Sequence, residues 1–409
     1  MDDIARDYLL LALSIGRFEQ GFVDSYYGPA ELAEEAEQRR VAPDLLAVEA
    51  SALRQRVADS ESDEQRARWL DRQLLAMETI CGRLAGDRLS YDEEVERCFD
   101  AAPERTLDSA YDATHAHLDG LLSGSGDLRS RIEQRNELLT MPADRLPAIL
   151  DWLVDEIRAL CLESFPAPAG ESLTLSTVTN QPWTAYNWYE GGLRSRIDFN
   201  TDLPARAPEL ISLVTHEAFP GHHLEHCWKE SRLVNERGRG EASIQLINTP
   251  EAYLSEGLAE VGGRYVVDEP RWQALFAGIC EQAGITPGDA DPASEWHVSR
   301  TLRGLRAVSA DAALMLHADS RPRDEVLTFL EQRGLLSQAR AEKSLEFIDH
   351  PLWRTYVFCY SGGERLLGEW CTAAGELPAQ RARFLRLLTE QLTPSAIAAE
   401  LDSPTGAKR

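Results

Sequence analysis

Apolar residues in the first 165 positions recur at helical spacing. Leu9, Leu10 and Leu13 open the series, and later Leu/Ala-rich segments repeat it with charged residues between them. Gly28-Pro29, Ala102-Pro103 and residues 123–126 read as loops. The pattern changes near residue 166, where Pro166, Pro168 and Gly170 interrupt it. Leu173 to Val178 then alternates as a half-buried strand does, and Ala185–Tyr189 and Leu193–Asn200 are two further strand candidates. Glu190-Gly191-Gly192 between them predicts a hairpin turn. Helices resume at Pro208. A second start is marked by Thr249-Pro250-Glu251, with an N-cap, a first-turn proline and a first-turn acid. The rest, to about residue 400, reads as helix with breaks at 287–292 and at Pro351, and the last few residues as frayed. The expected fold is mainly α in two parts: a helical half at 1–165, and a half at 166–409 holding a small antiparallel sheet and further helices.

Composition narrows the function classes. With 409 residues and 43% apolar content, the chain can bury a sizeable core. A net charge of -26 speaks against nucleic acid and anionic membrane surfaces as partners, because phosphates are met by clustered Lys and Arg. No apolar run approaches the roughly 20 residues of a membrane span. Asp2 and Asp3 stand where a secretion signal would be basic, and the apolar run Tyr8–Ile15 is short and flanked by Arg6 and Arg17. Seven cysteines without a CxxC pair predict free thiols and a cytoplasmic setting. The oligomeric state has no signature in the sequence.

The densest chemistry lies at 216–226, His-Glu-Ala-Phe-Pro-Gly-His-His-Leu-Glu-His, which holds four of the nine histidines. Imidazole and carboxylate are the ligands of zinc, and a nearby carboxylate can serve as general base. Two motifs compete. His216-Glu217 begins an HExxH helix, but Pro220 stands at i+4. On an unbroken helix His222, at i+6, points about 120° away, and His223, at i+7, lies about 10 Å along the axis. Pro220 and Gly221 make a regular helix untenable, and a bulge at Phe219-Pro220 would bring His222 back into reach. The other motif, HxxEH, is present literally as His222, Glu225 and His226 and needs no bulge. Spacing alone favours it. A third reading, a solvated His/Glu face, leaves the costly Pro-Gly interruption without a purpose. Cys227 is a further possible ligand, though a lone cysteine is more commonly a small buried hydrophobe.

The segment resembles the HExxPGHH signature of the bacterial domain of unknown function 885 family, grouped with zincin metallopeptidases, and His216 to His223 matches it without departure. Ser255-Glu256-Gly257-Leu258-Ala259-Glu260 is similar to that family's second signature, with Leu258 where an aromatic residue is common. Asp311 to His317 and Tyr360-Ser361-Gly362-Gly363 resemble two weaker ones. The likeness spans roughly residues 185–370. It implies a two-lobed helical zincin-like fold in which zinc is held by His216, by His222 or His223, and by Glu256. His222 is preferred because Gly-His then mirrors the end of related motifs. Glu217 is implied as general base. Glu256 and Glu260 lie off the apolar Leu254/Leu258/Val261/Tyr265 face of their helix, so Glu260 is placed to orient a ligand histidine.

The expected activity is zinc-dependent hydrolysis of peptide or amide bonds, carboxypeptidase- or dipeptidase-like on short peptides. The alternatives are a zinc enzyme of a non-peptide amide and an inactive metal-binding relative. Tyr360 is the first candidate donor to the oxyanion and His317 the second. The strand at 193–200 is expected as an edge that pairs with an extended peptide, with Trp183, Tyr186, Trp188 and Tyr189 lining the cleft or filling the core. Arg194, Arg196, Arg303 and Arg306 are candidates for a substrate carboxylate.

Overall fold

The computed structural model describes residues 1–181, 183–288 and 290–403. Helices dominate, and their ends follow local chemistry. Asp2 caps the helix Asp3–Gly16 by accepting from the Ala5 amide at 2.8 Å. Asp63 caps Glu64–Ala85, and Thr249 caps Pro250–Gly262. Pro208 takes the first turn of the helix Ala207–Glu217, as its fixed φ suits it to do.

The three expected strands form one sheet, but not an all-antiparallel one. Strand β1 (Val23–Tyr26) lies far upstream; β2 (Ser172–Val178), β3 (Ala185–Tyr189) and β4 (Arg194–Asn200) follow in the order β2-β4-β3. The hairpin at 190–193 makes β3 and β4 antiparallel, whereas β2 pairs parallel to β4 on its other side. A tight turn dictates direction only for the strands it joins, and β2 reaches the sheet through the longer 179–184 connection. Consequently the strand expected as an edge at 193–200, β4, is the central one, and the edges are β2 and β3. Strand β5 (Ile244–Leu246) pairs antiparallel with β1, tying the first part of the chain to the second.

A single apolar cluster runs through both parts, from Leu70, Met77 and Tyr91 to Leu254, Phe358 and Trp370. Polar ties cross as well: Arg66 Nε donates to Glu241 at 2.8 Å and Trp69 Nε1 to Glu251 at 2.7 Å. The helices Pro250–Gly262 and Trp353–Thr372 share a close crossing. A Cβ on Gly257 would lie 2.6 Å from the Gly363 backbone, and one on Gly363 would lie 2.6 Å from the Tyr253 carbonyl. Only a pair of glycines permits that approach, which sets Glu256 beside Tyr356 and Tyr360. All seven cysteines are buried and free. Among the described residues no helix is long and apolar enough to cross a membrane.

Candidate functional site

The helix at 207–217 stops at Glu217, and a new one, His222–Lys229, begins after four intervening residues. The interruption is a break and reorientation rather than the bulge expected at Phe219-Pro220. Gly221 lies against the preceding turn so tightly that a Cβ there would fall 1.8 Å from the His216 carbonyl oxygen. With the chain folded back this far, His216 Nε2 and His222 Nε2 are 3.2 Å apart although six residues separate them in sequence.

Glu256 completes the group from the facing helix. Its Oε2 is 3.2 Å from His216 Nε2, and its Oε1 is 3.6 Å from His222 Nε2. Ligand atoms at 2.0–2.1 Å around tetrahedral zinc lie about 3.3 Å from one another, so these spacings suit one ion. The three side chains are 15%, 12% and 9% exposed. Glu256 Oε2 is buried without a hydrogen-bond donor, while Oε1 accepts from Tyr356 Oη at 2.7 Å. An oriented carboxylate with one oxygen unsatisfied between two imidazole nitrogens fits a cation well. Among the described residues, His216, His222 and Glu256 are the group of His, Cys, Asp and Glu gathered closely enough to hold one.

A surrounding layer holds these side chains. Glu260 Oε1 stands 3.5 Å from His216 Nδ1. Ser255 Oγ lies 3.2 Å from His222 Nδ1 and donates to Glu225 Oε2 at 2.6 Å. Lys229 in turn pairs with Glu225 and Glu251. Glu225 thus stands behind His222, tied to Ser255 and Lys229, and neither it nor His226 belongs to the gathered group. His226 lines the same cavity with its ring parallel to that of His222, 5.9 Å away, but lies outside the ligand group. His223 points the other way, to Ser195 Oγ at 2.8 Å and Glu171 Oε2 at 3.0 Å, with Cys227 beside it.

Electrostatics separate the roles. Burial raises the Glu217 carboxyl above its usual range, against the pull of His216 and His222. Burial also resists charge on Glu256, but His216 and His222 outweigh it and hold that carboxylate well below its usual range. For His222 burial is again overcome, here by Glu225 and Glu256, so the ring is held in a field that demands positive charge. Burial and the Glu256 charge raise both Tyr356 and Tyr360 well above the ordinary phenol value, leaving them as proton donors. Burial drives His226 down to about 3, so it is neutral.

These groups open onto a cavity of about 100 Å³. Glu217 and Tyr360 line it, as do Trp183 and Tyr186, whereas Trp188 and Tyr189 do not. His317 is not brought here. Its Nε2 meets the Ile348 carbonyl at 2.7 Å and its ring packs on Tyr91, so it is held inside the fold, away from any oxyanion position. Nor do the four arginines reach the cavity. Arg196 pairs with Asp198 across Trp188, and Arg303 and Arg306 pair with Glu260 and Glu364. Several lining residues escaped sequence reasoning, among them Asn187, Trp353, Tyr356 and Asp24. Tyr356 sits one helical turn before Tyr360, a spacing that was a legible hint. Asp24, a single acid on the short β1, carried no such signal.

No family model matches this chain, and no curated protein matches it either. The resemblance to the domain of unknown function 885 family therefore rests on its motifs alone. Solved structures do match. A provisionally named lipoprotein from Colwellia psychrerythraea superposes with a TM-score of 0.53 at 13% identity over 87% of this chain. The chain spans 66% of that protein, just under two thirds, and the likeness is one of fold. A provisionally named lipoprotein of unknown function from Shewanella oneidensis gives 0.47 at 11% identity, covering 95% of this chain and 77% of that one. An M32 carboxypeptidase from Deinococcus radiodurans R1 gives 0.40 at 13% identity, covering 97% and 93%.

Proposed function

We propose that the protein is a zinc-dependent hydrolase of peptide or amide bonds in short substrates. One observation carries the reading: His216, His222 and Glu256 converge at 3.2–3.6 Å, at the wall of a cavity that also holds a raised carboxyl, Glu217. A structural site needs neither the open side nor the base.

Zinc, when bound by His216 Nε2, His222 Nε2 and Glu256, would supply the Lewis acidity that polarises water and the scissile carbonyl. The residues then divide the proton work. Glu217 accepts a proton from the attacking water at a carboxylate oxygen. Water oxygen bonds to the carbonyl carbon, the carbon–nitrogen bond breaks, and Glu217 returns the proton to the leaving nitrogen. Its raised affinity for a proton favours the first transfer, and the basicity of the departing nitrogen drives the second. Tyr360, kept as a phenol, donates to the developing oxyanion. Asn187 Nδ2 donates to the Glu217 carbonyl at 2.7 Å and so anchors the base to β3.

The test joins metal analysis to mass-read digestion of a mixed peptide library. Wild type is expected to carry stoichiometric zinc and to cleave. Glu217→Gln is expected to keep the zinc and to lose about 10²–10⁴-fold in rate. Protein without zinc, or a Gln variant as fast as wild type, would sink the proposal.

A further inference from the structure

We infer that the cavity takes its substrate by an ammonium group, held by Asp24 against aromatic walls close to the bond that is cut. This rests on the hydrolase reading and names the substrate class for the same site. It departs from the carboxypeptidase-like expectation.

Among the described residues, no lysine or arginine lines the cavity. The nearby cations are spent: Lys229 on Glu225 and Glu251, Arg303 and Arg306 on Glu260 and Glu364. A substrate carboxylate finds no fixed cation there to receive it. Carboxylates, by contrast, are in surplus. A zinc dication balanced by Glu256 and Glu217 leaves Asp24 as one further carboxyl, whose proton affinity burial and the charges of Glu256 and Glu217 push up to about 7, so that it ionises fully only against a cation.

The position of Asp24 is built. The pairing of β1 with β5 runs Val23 to Leu246 and then Ser25 to Gln245, so Asp24 is the extra residue of a bulge. Bulges re-aim a side chain, and this one faces the cavity. Asp24 Oδ1 is buried without a protein partner. It is not one of the gathered ligand residues, so the metal site does not account for it. An ionised carboxylate in such a place costs free energy until a cation pairs with it. Trp183, Tyr186, Trp353 and Tyr360 line the same space, and aromatic rings attract cations. Asp24 shares the lining of this one cavity with His216, Glu217, His222 and Glu256. The ammonium therefore sits near the reacting bond, as a free amino terminus or a basic side chain does.

Four peptides decide it: one with free ends, its N-acetyl form, its C-terminal amide, and an N-acetyl form with lysine beside the scissile bond. Each is titrated calorimetrically into zinc-loaded Glu217→Gln protein and digested with wild type. N-acetylation is expected to weaken binding and cleavage by at least about 30-fold, the loss of a buried charge partner. Amidation is expected to change them by no more than about threefold. Asp24→Asn is expected to bring the free-amine peptide down to the acetylated level while zinc content stays unchanged. Recovery with the lysine peptide identifies a side-chain ammonium; no recovery identifies the amino terminus. The inference is overturned if acetylated and free peptides bind alike, if none binds, or if Asp24→Asn keeps the preference. Ammonium-dependent binding without cleavage removes the hydrolase reading alone, and cleavage indifferent to the ammonium removes this one alone.

Discussion

His222 and His223 are neighbours in sequence and opposites in surroundings. His222 faces the cavity, where Glu256 Oε2, His226 Nδ1, Asp24 Oδ1 and Asn187 Oδ1 are all buried without hydrogen-bond partners. His223 faces the sheet, where both ring nitrogens are met, by Ser195 and Glu171, and Glu171 is also held by Arg158. Both sides bury charge. One is closed on itself and the other is short of partners. Buried polar groups are normally satisfied, so a concentration of unsatisfied ones around a single cavity marks where a ligand belongs. The closed side shows what the same residue types do when their role is structural.

The sharpest way to break this contrast is to truncate each histidine in turn. His222→Ala is expected to abolish stoichiometric zinc, read by metal analysis, along with hydrolysis. His223→Ala is expected to keep zinc while lowering stability by about 1–3 kcal/mol, because Glu171 and Ser195 lose a buried partner. Denaturant unfolding measures the second effect. Zinc lost from the His223 variant and retained by the His222 variant would invert the assignment.

Next in size is the backbone that makes the two sides differ. Gly221→Ala would drive a methyl into the His216 carbonyl and force the break open, separating His216 from His222. Loss of zinc with the fold retained by circular dichroism is the expected result. A variant that binds zinc like wild type would show that the close approach does not set the ligand geometry.

A smaller effect belongs to the layer behind the ligands. Ser255→Ala removes the hydroxyl between His222 Nδ1 and Glu225 Oε2. Competition with a chelator is expected to show zinc affinity reduced by about 10–100-fold, the usual cost of losing an orienting partner. An unchanged affinity would mean that Glu225 alone, at 3.5 Å, orients the ring.

Much of this arrangement was legible in sequence, and the reasons differ from residue to residue. The Thr249-Pro250 helix start, the 190–193 turn and the Pro-Gly break depend on a few adjacent residues whose local preferences are strong. Glu256 was legible through the likeness of residues 255–260 to a family signature, with its place off the apolar face of its helix in support. Asp24 was not, since its role depends on a bulge against a strand more than two hundred positions away. The same holds for β2, whose parallel pairing to β4 no local turn announces. His317 misled because a polar residue near a helix end looks alike in sequence whether it faces a cavity or a backbone carbonyl.

That histidine supplies the mildest test of the contrast between closed and open sites. Burial lowers the His317 proton affinity below the ordinary value of 6.5, with the Ile348 carbonyl opposing the shift. A depressed folded-state value means that the unfolded chain binds the proton first as pH falls. The contribution of the neutral ring is thus fully present above 6.5 and is lost as pH drops from there through the folded-state value. His317→Gln can still donate to the carbonyl but cannot titrate. It is expected to flatten the stability profile below pH 6.5 while leaving zinc content and peptide cleavage at wild-type levels. Were cleavage to fall in the Gln variant with stability unchanged, His317 would belong with the open site after all, and pairing would no longer separate structural histidines from functional ones.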